Sequence, residues 1–429
     1  GQMYLCAIRG ACAGGGYELA LACNHIMLTD DRTSNVALPE VPLLAVLPGT
    51  GGLTRVTDKR KVRRDRADVF CTTEEGVKGQ RALDWRLVDE VVANSKFDEA
   101  VVARAKALAA ASEKATATGL TLGALHRHFS QDAVTYSLLD VEIDRAAGVA
   151  TLTLKGPDGP APADMAAFEA EGDQAYLLRL ARELEDAILH LRFNEMALGL
   201  WVVKSQGDPA LVAAHEAVVL NAPGHWLARE VRGYWKRVLK RVDVTSRSIV
   251  TLVEHGSCFA GVLAELVWAS DRAYMMEDEF DGDNRPLATL ALSRGNFGSY
   301  PMGNDLTRLQ NRFYGEPEMV DAVQDVLGTA LEAADAAELG LVTEAMDDID
   351  WEDEIRIILE ERASFSPDAL TGMEANLRFA GPETMETRIF GRLTAWQNWI
   401  FNRPNATGDA GALQRYGTGR RGEYNMERV

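Results

Sequence analysis

Apolar residues alternate with polar ones in parts of this chain and recur every three to four positions in others, the patterns of strands and helices. Alternation over residues 139–144 and 149–154 predicts two paired strands. Apolar residues between 174 and 192 share one helical face, and Asp173 is positioned to cap that helix. The other expected elements are strands at 4–8 (a buried one), 198–203 and 249–253 and a helix at 97–111. This mixture predicts an α/β protein.

A strand, a glycine turn and a helix occur twice, in residues 3–28 and again in residues 249–274. Equivalent residues are 246 or 247 positions apart, and a third pair of segments is 254 positions apart. The matched pairs are Gly10 with Gly256, Glu18 with Glu265, and residues 82–90 with 336–344. Three matches in the same order, at nearly constant spacing, predict two homologous domains.

The repeat also predicts where the domains begin and end. The expected parts are residues 1–111 as the C-terminal part of a first, catalytic domain, 112–135 as a linker, 136–407 as a second domain with a helical extension, and 408–429 as an arm. The arm is polar and rich in Gly and Arg, which is typical of an extended or partner-wrapping tail. Because 120 residues separate Tyr136 from Gly256 but only 9 precede Gly10, the first domain is expected to be truncated at its front.

Composition narrows the possible partners. The 429 residues include 45 Lys and Arg but 64 Asp and Glu, and this net charge of −19 argues against nucleic acid or an anionic membrane as partner. Apolar residues at 47% and charged residues at 25% are ordinary for a globular protein, and no apolar run approaches the roughly 18 residues of a membrane span. Five cysteines are too few and too clustered for a disulfide framework, so a reducing compartment, the cytoplasm, is expected.

Three consecutive glycines, Gly14, Gly15 and Gly16, lie between the first predicted strand and its helix. Glycine lets a ligand approach the backbone closely, and the first N–H groups of a helix lack partners, so the turn suits a phosphate or a developing oxyanion. The dinucleotide pattern G-x-G-x-x-G would need a third glycine where the chain has Leu19. A tight turn that only packs the strand against the helix explains the glycines equally well.

Four strings around this turn carry a family resemblance. They are ACAGGGYELALAC at residues 11–23, LPEV at 38–41, PGTGGLTR at 48–55 and ALDWRLVDE at 82–90. In this order and spacing they resemble the core motifs of the enoyl-CoA hydratase/isomerase (crotonase) superfamily, with Arg86 where that family usually has glycine. The resemblance implies two ClpP/crotonase-type domains, each a superhelix of ββα units, the first of them incomplete.

The resemblance also implies a site for a CoA thioester. The N–H of Gly15 is expected to hold the thioester oxygen, together with a second N–H from a loop that would precede Gly1. Glu18 and Glu40 are expected to hold a water and act as acid and base. Further substrate contacts are expected from Gly14, Gly16, Gly49, Gly51, Lys59, Arg60 and Lys61, the last three as cations for the CoA phosphates. No metal or redox cofactor is implied.

Simpler explanations of the same residues stay open. Glu18 could be a solvated carboxylate favoured by the helix N-terminus, Glu40 a loop charge, and the cations a solvated helix face. Cys12 and Cys258 are expected to be small packing residues, because neither has an assignable activating histidine. His25, placed on the helix after the turn, is expected to have no catalytic role.

The second repeat keeps Glu265 but departs from the site elsewhere. The residue 22 positions later is Leu287, which takes the place of Glu40, and the glycine triplet becomes AGV at 260–262. This domain is therefore expected to keep the fold and oligomer contacts but not the chemistry. An acidic segment at 277–283 lacks the spacing of a calcium-binding loop and is expected to be solvated.

Two repeats in one chain, with the string SCFAGVLAE at 257–265, are similar to the ring-cleaving lyases of this superfamily. That likeness implies hydrolytic opening of the ring of 2,3-dihydro-2,3-dihydroxybenzoyl-CoA to 3,4-dehydroadipyl-CoA semialdehyde and formate, in aerobic benzoate degradation. A homo-oligomer, most simply a dimer, that takes an acyl-CoA substrate is expected. Two alternatives remain: an enoyl-CoA hydratase or isomerase with a degenerate second copy, and a non-catalytic CoA-binding or scaffold subunit.

Overall fold

The computed structural model describes residues 2–112, 119–277 and 285–428, and the chain divides into two units, Gly1–Ala117 and Thr118–Val429. Each unit has its own apolar core, and both combine sheets with helices, which confirms the predicted α/β class. The boundary between the units falls inside the predicted linker 112–135, part of which lies outside the described residues. Across the described ranges, no helix has both the length and the apolar character needed to cross a membrane.

The first unit contains two small sheets. The strands are β1 Leu5–Ile8, β2 Ala11–Ala13, β3 His25–Asp30, β4 Asn35–Ala37, β5 Val77–Lys78 and β6 Glu90–Ala93. One sheet has the parallel order β1–β3–β6. In the other, β2 pairs in parallel with β4, and β4 pairs antiparallel with β5. The predicted strand at 4–8 is present, but Ile8 alone among its described residues is buried, so the expectation of a buried strand is wrong.

The helices of the first unit pack on these sheets. They are α1 Gly15–Ala22, α2 Glu40–Leu44, α3 Gly52–Thr54, α4 Arg64–Cys71, α5 Gly79–Asp84 and α6 Phe97–Ala110. A π-helical turn at Arg55–Lys59 continues α3. The core side chains that join α1, β3 and α4 are Tyr17, Leu21, Ile26, Leu28 and Phe70. Their burial fixes α1, and with it the glycine turn, against the sheet.

One long mixed sheet organises the second unit. The strands of this unit are β7 His128–Phe129, β8 Ala133–Thr135, β9 Leu139–Asp144, β10 Val149–Lys155, β11 Leu200–Gln206, β12 Ser248–Val253, β13 Arg272–Glu277, β14 Leu290–Ala291, β15 Ala330–Leu331 and β16 Glu344–Asp347. Of these, β14 and β15 form a separate antiparallel pair. The order across the long sheet is β16–β13–β12–β11–β10–β9–β8–β7. Pairing is parallel from β16 to β10 and antiparallel from β10 to β7.

Helices cover both faces of this sheet. They are α7 Met165–Glu171, α8 Tyr176–Asn194, α9 Pro209–Leu220, α10 Trp226–Asp243, α11 Ala264–Ala269, α12 Arg308–Arg312, α13 Pro317–Asp325, α14 Ala333–Glu338, α15 Trp351–Ala363, α16 Pro367–Leu377, α17 Met385–Arg388, α18 Thr394–Ile400, α19 Pro404–Thr407 and α20 Ala412–Arg415. On one face Trp201 of β11 belongs to the core with α8 and α10. On the other face Val202 packs in a smaller cluster with Trp351 of α15.

The apolar pattern located the regular elements well but not their ends. The paired strands at 139–144 and 149–154 are confirmed as β9 and β10. The helix expected over 174–192 is α8, but Asp173 does not cap it. A 3₁₀ turn at Gly172–Gln174 precedes α8, and Asp173 instead accepts the N–H of Gly123 at 2.6 Å.

His25 was expected on the helix that follows the glycine turn, and this is wrong. Helix α1 ends at Ala22, and Cys23 is already extended, with φ −68 and ψ 158. His25 begins β3, where it pairs with Leu5 of β1. The ladder of β1 and β3 supplies the backbone hydrogen bonds that a longer helix would have made.

The described end of the predicted arm packs on the second unit. Arg428 is only 5% exposed, and its guanidinium donates to Glu374 Oε2 at 3.0 Å and to the Ser248 hydroxyl at 3.2 Å. Asn405 of α19 also holds the arm near this end, because its side-chain oxygen accepts the N–H of Asn425 at 2.8 Å. These residues of the arm therefore contact their own chain; a role in wrapping a partner stays a prediction.

Candidate active site

The glycine turn joins β2 to α1. Gly14 has φ 57, a left-handed conformation that other residues rarely adopt, and its N–H donates to the carbonyl of Ala37 at 3.1 Å. Because α1 begins at Gly15, the N–H groups of Gly15 and Gly16 are among those without an intrahelical acceptor. A Cβ on either residue would meet no described atom within 4 Å. The turn therefore presents backbone donors beside open space, which is what an oxyanion requires.

Glu18 lies in the first turn of α1 and is only 7% exposed. The N–H of Gly52 donates to its Oε1 at 2.8 Å, and the Thr50 hydroxyl donates to its Oε2. A Cβ on Gly52 would stand 2.8 Å from Cγ and from Oε1 of Glu18, so only glycine lets the backbone come this close. One loop therefore holds both oxygens of the carboxylate.

Glu40 is the first residue of α2, and its side chain is also buried. Its Oε1 lies 3.4 Å from the place of a Cβ on Gly14, and its Oε2 is buried without a hydrogen-bond partner among the described residues. The carbonyl of the same Gly14 accepts the N–H of Glu18 at 2.9 Å. The structure thus brings both predicted glutamates to the glycine turn, one with its oxygens bonded and one with a bare oxygen. Such a pair can hold a water and exchange protons with a bound ligand.

Gly49 and Gly51 lie in the loop between α2 and α3, which carries the donors to Glu18. Gly51 has φ 107, and a Cβ on it would overlap the guanidinium of Arg55. That guanidinium donates to the carbonyl of Thr50 at 2.8 Å. The contacts of Gly51 therefore support the loop, while substrate contact by either glycine stays a prediction.

The three cations chosen for the CoA phosphates have different surroundings. The Lys59 ammonium donates at 2.6 Å to each of two carbonyls at the C-terminal end of α1, a favourable place for a cation. The side chain of Arg60 is only 11% exposed and is bonded to Asp89 at 2.8 Å. Lys61 is exposed, and its ammonium has no partner in the part of the chain that the structure describes. Of the three, Lys61 is best placed for a phosphate, since the other two hold the unit together.

The second unit contains a matching glycine and glutamate. Gly261 has φ 51 and stands four residues before Glu265, as Gly14 stands four residues before Glu18. Glu265 is 1% exposed, and it accepts hydrogen bonds from Asn296 at 2.7 Å and from Arg308 at 2.8 Å. Glu18 accepts from a backbone N–H and a hydroxyl, whereas Glu265 is bound to a buried guanidinium and an amide, which fits the prediction that this copy lost its chemistry.

The expected counterpart of Glu40 in this copy is Leu287, which is exposed and carries no carboxyl group. Another carboxyl group, which was not predicted, comes from Glu216 of α9 and lies against Gly261, where a Cβ would overlap its Oε2. The Tyr300 hydroxyl donates to Glu216 Oε1 at 2.8 Å. Glu216 lies upstream of the matched segments, so the repeat did not reveal it. A signal existed, since His215 and Glu216 are the polar pair in an otherwise apolar helix.

Burial raises the pKa of Glu216 from 4.5 to about 7, although hydrogen bonds from Ser293 and Tyr300 oppose the rise. Among its charged neighbours, Glu265 adds to the rise and Arg294 opposes it. The carboxyl group is therefore neutral in mildly acidic solution and becomes charged near neutrality. The closed site of the second unit is most stable while Glu216 keeps its proton.

The variant Glu216→Gln is expected to remove a pH dependence of stability. The group titrates near its ordinary value of 4.5 in the unfolded chain but near 7 in the folded one, so the unfolded state loses its proton first as pH rises. The wild type should therefore lose stability relative to the variant between about pH 4.5 and 7, by on the order of 3 kcal/mol, and no further above. Urea unfolding of both proteins at several pH values measures this difference.

Glu230→Gln is the matched control, because Glu230 is an exposed residue of α10. Its unfolding free energy should follow that of the wild type at every pH. A stability difference between wild type and Glu216→Gln that stays constant with pH would contradict the prediction.

Cysteine and metal chemistry gain no support from the structure. Burial raises the pKa of Cys258 to about 11, which disfavours the thiolate that a nucleophile needs and agrees with a packing role. Among the described residues, no three His, Cys, Asp or Glu side chains are grouped so as to hold a metal ion. Most of the acidic segment at 277–283 lies outside the described residues.

Comparison with known proteins finds similarity at the level of sequence. Residues 2–148 match the family model described as enoyl-CoA hydratase/isomerase. Over 430 residues the chain is 52% identical to the benzoyl-CoA-dihydrodiol lyase of Aromatoleum evansii, an alignment that covers 100% of this chain and 77% of that protein.

Solved structures match at much lower identity. An enoyl-CoA hydratase from Geobacillus kaustophilus HTA426 has a TM-score of 0.49 and 14% identity, and covers 71% of this chain and 100% of its own. An enoyl-CoA hydratase/isomerase from Cupriavidus metallidurans CH34 has a TM-score of 0.47 and 17% identity, and covers 67% of this chain and 96% of its own.

Proposed function

The chain belongs to the enoyl-CoA hydratase/isomerase (crotonase) superfamily, and from this premise we propose that it is a ring-cleaving lyase. Its substrate is 2,3-dihydro-2,3-dihydroxybenzoyl-CoA, which it opens with water to 3,4-dehydroadipyl-CoA semialdehyde and formate. The observation that carries the proposal is the 52% identity, across this whole chain, to a benzoyl-CoA-dihydrodiol lyase. The reaction serves aerobic degradation of benzoate through CoA thioesters.

The glycine turn supports this chemistry. Release of ring carbon C2 as formate breaks two C–C bonds. Loss of the proton of the C2 hydroxyl breaks the bond to C3 and leaves C2 as a formyl group on the α carbon C1; water then adds to this formyl group, and cleavage from C1 releases formic acid. In both cleavages the electron pair of the broken bond is delocalised onto the thioester oxygen, in the first of them through the conjugated double bonds. The N–H of Gly15 stands at the open side of the turn and stabilises that oxyanion. Loss of one such donor typically costs about 3–4 kcal/mol of transition-state stabilisation.

The two glutamates move the protons. The C2 hydroxyl and the attacking water must each lose a proton, and the carbon chain left by each cleavage must gain one. Glu18 and Glu40 meet at the turn that holds the thioester, so these transfers occur beside the oxyanion. The dihydrodiol thioester and one water contain the same atoms and electrons as the semialdehyde and formic acid. The reaction therefore calls for no external oxidant, and we propose that it proceeds without a cofactor.

The test is product analysis with the whole protein. The dihydrodiol thioester should yield one formate for each thioester consumed, measured by NMR or a coupled assay. Hydration of crotonyl-CoA without formate release would favour an ordinary hydratase instead. Binding of CoA thioesters without turnover of either substrate would favour a scaffold or binding subunit.

We also propose that the protein is a homodimer of the cytoplasm. The cysteines of the described residues are free thiols, which suits a reducing compartment. Met385, Phe390 and Leu393 on the last helices are 75%, 75% and 51% exposed, and an exposed apolar group of this kind is typical of a protein interface. The net charge of −19 supports an acyl-CoA, bound at a local basic site, over nucleic acid as the partner.

A further inference from the structure

Thr50 stands between the glycine turn and α3, in the loop that holds Glu18. Its hydroxyl donates to Oε2 of Glu18, while the N–H of Gly52 donates to Oε1. Both donors come from one short loop, so the plane of the carboxylate is fixed by two hydrogen bonds. We propose that Thr50 is a positioning residue, which holds the carboxyl group of Glu18 in the orientation needed for proton transfer; this rests on the function proposed above.

The backbone that carries the Thr50 hydroxyl is itself held in place. The Arg55 guanidinium donates to the carbonyl of Thr50 at 2.8 Å, and the Arg55 N–H donates to the carbonyl of Gly51 at 2.8 Å. Gly51 has φ 107 and leaves no room for a Cβ beside that guanidinium, so Arg55 holds the loop on the C-terminal side of Thr50. These contacts restrict the backbone from which the hydroxyl reaches Glu18.

The hydrogen bonds also distinguish the two glutamates. Glu18 accepts one on each oxygen, whereas Glu40 has a buried oxygen with no partner among the described residues. The Thr50 hydroxyl therefore acts on Glu18, and a change at Thr50 should leave the contacts of Glu40 intact.

Thr50→Val and Thr50→Ser test the role of the hydroxyl. Thr50 is an exposed residue, so neither change is expected to unfold the unit. Thr50→Val should lower kcat by roughly ten- to a hundredfold, with KM changed less than threefold. The carboxyl group of Glu18 loses the hydrogen bond that orients it but keeps its contact with substrate. Thr50→Ser restores the donor and should recover most of kcat. Thr72→Val is the control, since the Thr72 hydroxyl bonds only within its own helical turn.

Infrared spectroscopy without substrate gives a second readout. The carboxyl band of Glu18, identified as the band lost in Glu18→Gln, should shift in frequency in Thr50→Val, because Oε2 loses a hydrogen bond, and should return in Thr50→Ser. If Thr50 only stabilised the unit, this band would not shift, and an unshifted band with wild-type kcat would overturn the proposal. If neither the wild type nor any variant cleaves the dihydrodiol thioester but the band still shifts, the proposed function fails. The role of Thr50 in positioning Glu18 then stands on its own.

Discussion

Glu18→Gln and Glu40→Gln are each expected to lower kcat for formate release by about a hundred- to ten-thousandfold, the usual contribution of a general acid or base. The amide keeps the size of the side chain but cannot take or release the proton. In Glu18→Gln the side-chain amide keeps one oxygen that can accept a hydrogen bond from Thr50 or Gly52, so the loop should remain in place. Steady-state kinetics with the dihydrodiol thioester measure the loss.

The control for this pair is Glu99→Gln, because Glu99 is an exposed glutamate of α6 in the same unit. It should leave kcat unchanged. Glu265→Gln extends the comparison to the second unit, where Glu265 serves the buried contact with Arg308. Glu265→Gln should mainly lower the free energy of unfolding, with a smaller effect on the kcat of the folded protein. Equal losses of kcat from Glu18→Gln and Glu265→Gln would refute the assignment of catalysis to the first unit.

The parts of the site that depend on local sequence could be predicted. Gly14 and Glu18 are four residues apart, so one helical turn brings the glutamate over the glycine whatever the rest of the fold does. Glu40 could be added because its motif begins an element after β4, whose parallel pairing with β2 returns the chain to the turn. Short-range geometry and a recognisable motif were sufficient in both cases.

Other features depend on contacts that no local pattern encodes. The run from Lys59 to Lys61 is a cluster of cations in the sequence. In the structure, however, Lys59 and Arg60 donate hydrogen bonds to acceptors that are distant in the sequence. Glu216 meets Gly261 only because α9 packs over the turn of the second unit. Polar partners of this kind are set by tertiary packing, so neither charge pattern nor repeat could reveal them.

Arg308→Met is expected to have the largest effect on stability. Arg308 is fully buried and bonds two buried carboxylates, Asp243 at 2.7 Å and Glu265 at 2.8 Å. Removing one partner of a buried ion pair typically costs about 3–5 kcal/mol because the other charge is left uncompensated, and here two charges are left. The change in charge should matter more than the change in packing, since methionine fills much of the same space.

Urea unfolding at neutral pH measures this loss, and tryptophan fluorescence is a suitable signal because seven of the eight tryptophans lie in the second unit. Arg356→Met is the control, since Arg356 pairs with exposed carboxylates and should cost less than about 1 kcal/mol. Burial raises the pKa of both Asp243 and Glu265 while Arg308 lowers it, so without the arginine both should be protonated more readily. The deficit of Arg308→Met should therefore shrink as pH falls, and adding Asp243→Leu and Glu265→Leu should recover part of it. If Arg308→Met is as stable as Arg356→Met at neutral pH, the buried ion triad does not hold the second unit together.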